Sequence, residues 1–121
     1  MMYRQLQEVM RRLPDMQEKI RASLLSDNIR EMTTLADEAH AIAEDVKFDL
    51  DHLLNNSDGS EEGERRFAQA ALDSLQSAIL NAQKVALATN VNETRARVLE
   101  FKTRADYADA YLHAALGFEM E

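Results

Sequence analysis

The chain has 121 residues, a net charge of −8, three glycines, one proline and no cysteine. That length suits one domain around a single core, and 45% hydrophobic with 30% charged residues marks it as globular. Without cysteine there can be no disulfide, thiolate chemistry, cysteine-ligated zinc or covalently attached c-type haem, and so few glycines argue against a β-sandwich or a Gly-rich nucleotide fold.

In chain order, the first apolar stripe runs from about Tyr3 to Leu25, with Leu6, Met10, Leu13, Ile20 and Leu24 on one face. Pro14 interrupts it. The missing N–H and the ring clash predict either a kink near Met10 or a fresh helix with Pro14 in its first turn. "SDNIRE" is the first break, where Asn28 and Glu31 form an Asn-x-x-Glu capping box. The second predicted helix carries Ile29, Met32, Ala36, Ala39, Ala43, Val46, Leu50 and Leu53, the strongest periodicity in the chain. "NNSDGSEEG" reads as a turn with Ser57 or Ser60 as the next cap.

The third predicted helix uses Ala68, Leu72, Leu75, Ile79, Ala82 and Ala86. Asn90 with Glu93 is a second capping box, opening a fourth helix that buries Val98, Phe101, Ala105, Ala108, Leu112 and Ala115. Helices of about 25 residues are roughly 37 Å long. Short connections between them predict an all-α, up-down-up-down antiparallel four-helix bundle forming one domain over 1–121. Its helix content should be about three-quarters or more, against a base rate of roughly one-third.

The start "MMYRQLQEVMRRL" is amphipathic and charged, and no stretch approaches the roughly 20 apolar residues of a membrane span. The expectation is a cytoplasmic protein without a membrane anchor, or a periplasmic one if a leader has been removed.

The acidic excess is local. Residues 1–26 carry five basic and three acidic groups, residues 27–64 carry twelve acids against Arg30 and Lys47, and the remainder carries seven of each. Asp37, Glu38, Glu44 and Asp45 lie in that acidic stretch, which reads as a solvated face or as a docking strip for a basic partner. Direct nucleic-acid binding through it is disfavoured, because phosphates would be repelled. Arg95, Arg97, Lys102 and Arg104 are too interleaved with Glu93 and Glu100 to make a basic stripe.

Several apolar side chains fall off the core stripes. Phe48 is opposite the second stripe, Leu80 and Leu87 share the outer side of the third helix, Leu99 is off the fourth stripe, and Tyr107 and Tyr111 form an outward pair. Together they predict self-association, as a homodimer, or partner binding through the third and fourth helices.

Chemistry-bearing residues are few. Asp37-x-x-His40 and Asp49-x-x-His52 have di-iron spacing but sit on one helix, about 18 Å apart by helical rise, so they cannot share a site. With no nucleophile–base pair and no phosphate loop, no enzyme is expected. His113 lies about 100° from Leu112 and about 80° from Ala105, on the shoulder of the fourth stripe. There it reads as a solvated edge residue.

Met10 in the first helix, His113 late in the fourth, the segment "DAYLH" and the hairpin "RASLLSDNIREMTTLADEAHAIA" resemble haem-binding four-helix bundles of the cytochrome c-prime type and their non-covalent cytochrome b relatives. The resemblance implies Met10 and His113 as axial ligands of a haem. Asp109 and Leu112 stand where the attachment cysteines would be, so such a haem would be non-covalent. The reading preferred from the residues is a non-enzymatic interaction or regulatory bundle without a cofactor.

Overall fold

The computed structural model describes residues 2–56 and 62–120, without the side chains of 2, 3 and 118–120. Helices take up 91% of the described residues, and no strand occurs among them. The elements are α1 (Met2–Met10), α2 (Leu13–Leu25), α3 (Ile29–Asn56), α4 (Glu62–Val85) and α5 (Val91–Met120). Among the described residues, no helix is long and apolar enough to cross a membrane.

Of the two outcomes open at Pro14, the fold takes the fresh start. Helix α1 stops at Met10, Arg11 closes its end with an N–H to the Glu8 carbonyl at 3.3 Å, and Pro14 sits in the first turn of α2. In that turn its missing N–H costs no helical bond. The break also resets the phase of the stripe. Leu6, Leu13 and Ile20 are buried as expected, together with Val9, Met16 and Ser23, whereas Met10 and Leu24 are only partly covered.

Both Asn-x-x-Glu motifs cap helices. The Glu31 N–H donates to Asn28 Oδ1 at 3.1 Å, and the Glu93 N–H donates to Asn90 Oδ1 at 2.8 Å. The cap expected from Ser57 or Ser60 lies outside the described residues. Two further contacts tie the turn between α2 and α3. Buried Ser23 donates its hydroxyl to the Met32 carbonyl at 2.8 Å, and Arg95 of α5 donates to the carbonyls of Leu24 (3.3 Å) and Ser26 (2.9 Å). These are carbonyls that the end of α2 leaves unpaired, so the guanidinium does the work of a helix cap.

Helices α1 and α2 pack on α3 and α5, and α4 also packs on α3 and α5. The α4–α5 pair is the most extensive. Small residues are buried on both helices, among them Ala68, Ala71, Ala78 and Ala82 on α4 and Ala105, Ala108 and Ala115 on α5. Alanine brings helix axes close, and Phe101, wholly buried, is the largest side chain in the interior.

The six core positions expected on the last helix are all buried. Besides Met10 and Leu24, two positions expected in the core are not buried. Ile29 opens α3 at the edge of the core and is 39% exposed, and Ala86 lies just past the end of α4, where Val85 takes the buried place.

Candidate interaction surface

Helix α3 meets α1 and α2 on one flank and α4 on the other. Its acids therefore divide between two edges. On the α2 flank, Arg12 pairs with Asp45 at 2.6 Å and Lys19 approaches Glu38 at 3.8 Å. Those two acids of the expected strip are engaged within the chain.

Asp37, Glu44 and Asp51 stand one residue earlier in each heptad than Glu38, Asp45 and His52, hence about 100° round the helix. That turns them toward the α4 flank, next to the more deeply set line of His40, Lys47 and Leu54. The guanidinium of Arg65 on α4 reaches the Leu54 carbonyl at 3.0 Å and fixes the identity of this flank. All three acids are exposed. The partner of Glu44 is His40 at 3.3 Å, and neither Asp37 nor Asp51 enters an ion pair among the described residues.

Across that edge, α4 shows Gln69, Gln76 and Gln83, exposed and again seven apart. They lie about 40° outward of Arg65, Leu72 and Ile79 on the α3 side of α4. The opposite edge of α4 is marked by Phe67, whose ring centroid is 6.3 Å from that of Tyr111 on α5. Tyr111 is accordingly half-buried against the core, not outward as its spacing from Tyr107 implied.

Leu80 (60% exposed) lies on the outer crest of α4, in line with exposed Arg66 and Asp73, and Leu87 (73%) follows in the turn just past the end of that helix. Leu99 does not join them. It shares a heptad line on α5 with Asp106 and His113, and Asp106 accepts a bond from Gln17 of α2 at 2.9 Å. Leu99 therefore sits on the α2 side of α5, while Tyr107 and Phe48 point outward on their own helices.

Met10 and His113 do come to one place. Both line a groove of about 690 Å³ between α1/α2 and α5, with Leu13 and Pro14 as its other apolar contributors. The remaining walls are Gln17, Glu18, Arg21, Lys102, Asp106 and Asp109. The His113 imidazole is two-thirds exposed and already engaged by Asp109, with Nδ1 at 3.0 Å from the carbonyl oxygen and 3.3 Å from the carboxylate. Walls of this polarity do not fit a haem, whose macrocycle requires mostly apolar cover.

His52 is exposed beside Asn56, and among the described residues no group of three or more His, Asp or Glu side chains is arranged to hold a metal ion. A second groove, of about 530 Å³ between α1 and α3, is lined by Gln5, Val9, Arg11, Arg12, Asp49 and His52 among others. Both of its guanidinium groups are paired, Arg11 with Glu8 and Arg12 with Asp45.

The chain matches no family model, no curated protein and no solved structure.

Proposed function

We propose that this is a non-enzymatic protein-interaction or regulatory module, an up-down-up-down antiparallel bundle that engages a protein, another copy included, through the crest of α4 and the acidic edge of α3. The observation that carries it is the exposure of Leu80, on the outer side of α4, and of Leu87, in the turn that follows α4, beside a core that is complete without them. Burying two leucines contributes several kcal/mol at roughly 1.5–3 each, less the association entropy. The acids set the electrostatics of approach, so docking should slow as salt rises.

The test is sedimentation at micromolar concentration together with partner capture, using wild type and Leu80→Glu/Leu87→Glu. Loss of association with unchanged helicity supports the reading. A strict monomer whose double variant captures the same proteins as wild type refutes it.

The haem reading has one observation in its favour, the shared groove of Met10 and His113. The polar walls weigh against it. Haemin titration is expected to give no stoichiometric Soret band. A band abolished by both His113→Ala and Met10→Ala would reverse that expectation.

A further inference from the structure

Resting on that reading of the α4 crest, we propose that its occupant is an amphipathic helix, apolar along one side and repeating Lys or Arg every seven residues along the other. The leucines alone leave the partner open. What selects it is the charge beside them.

Asp37, Glu44 and Asp51 recur every seven residues, a step of about 10.5 Å along α3. A partner helix lying along α3 has the same heptad step, so its cations meet the three acids in register. On the α3 side of α4 the exposed line is Gln69, Gln76 and Gln83, which carries no cation and offers amides to a polar seam. Apolar contact comes from Leu80 on the α4 crest and from Leu87 in the turn that follows the helix.

A second copy is the weaker occupant. A two-fold contact across this face sets the acidic edges of both copies against each other, and like charges so juxtaposed oppose association. The acids on the other edge of α3 do not compete for a basic helix, since Lys19 and Arg12 already engage Glu38 and Asp45.

The probe is a labelled helical peptide of about three heptads with Leu on one side and Lys on the other, compared with the same peptide carrying Glu for Lys. Fluorescence anisotropy should show the Lys peptide binding wild type at least about tenfold more tightly, with the preference fading from about 0.05 to about 0.5 M salt. Asp37→Asn/Glu44→Gln/Asp51→Asn should weaken it about tenfold. Asp15→Asn/Glu18→Gln/Glu100→Gln, which removes equal charge on α2 and α5, should change it less than about twofold.

Circular dichroism confirms that each variant keeps its helix. Equal weakening by the two triple variants, or equal binding of the two peptides, overturns the proposal. If wild type instead self-associates through Leu80 and Leu87 with the acidic triple variant unaffected, the α4 crest is an interaction surface and the basic helix is not its occupant. If neither peptide nor second copy depends on those leucines, both readings fall.

Discussion

The two edges of α3 carry the same residue types on the same helix, yet they differ in what they offer. Glu38 and Asp45 face α2 and meet Lys19 and Arg12, whereas Asp37, Glu44 and Asp51 lie on the side of α3 toward α4, where the exposed line is Gln69, Gln76 and Gln83. Counted along the chain they form one acidic stretch. In the fold, one edge is largely spent on the neighbouring helix, while the other is engaged only at Glu44, by His40 of the same helix. The leucines divide in the same way. Leu80 is on the crest of α4 and Leu87 in the turn after it, while Leu99 lies with Asp106 and His113 over the α2 side of α5. Exposure alone does not make a surface; the neighbouring helix decides which exposed groups stand together.

Breaking α3 itself should remove both edges at once. Met32 is wholly buried, so Met32→Asp places a charge in the core and should cost at least about 4 kcal/mol, read as a collapse of the urea or thermal midpoint. Next in size is Arg95→Ala, which unpairs the carbonyls of Leu24 and Ser26 at the turn that positions α3. A loss of about 1–2 kcal/mol is expected, with the affinity for the Lys peptide unchanged. Reduced affinity without reduced stability would make Arg95 part of the binding surface instead.

The pairing argument is sharpened by Arg12→Ala/Lys19→Ala. Both bridges are partly open to solvent, Lys19 least, so stability should fall by only about 0.2–1 kcal/mol per pair. The α2-facing edge then becomes as bare as the other, and a second, weaker site for the Lys peptide should appear in the binding stoichiometry. An unchanged stoichiometry would mean that the glutamine line and the leucines, not the free charges, distinguish the two edges. The smallest effect belongs to Leu99→Glu. It should leave helicity, stability within about 0.5 kcal/mol, and association all unchanged, in contrast to Leu80→Glu. Equal loss from both would restore a joint α4–α5 patch.

Much of the helical layout was legible because periodicity reports burial directly. The stripe from Met32 to Leu53 and the six positions from Val98 to Ala115 are buried where their spacing put them, and both Asn-x-x-Glu caps form. The first stripe was read less well, since Pro14 resets the helix phase and brings Val9 and Met16 into the core. Tyr111 was misplaced because the wheel of one helix does not include Phe67 on another.

The sequence by itself determined the helices, their caps, most of the inward-facing positions and the local acidic excess. These depend on residues three to seven apart, which the helix geometry brings onto common lines. Only the tertiary structure decided which acids remain open, that Leu99 parts from Leu80 and Leu87, and that Met10 and His113 share a polar groove. Those outcomes depend on which flank of each helix meets which neighbour. Contacts such as Arg12–Asp45 and Gln17–Asp106 join residues far apart in the chain, and no local pattern encodes them.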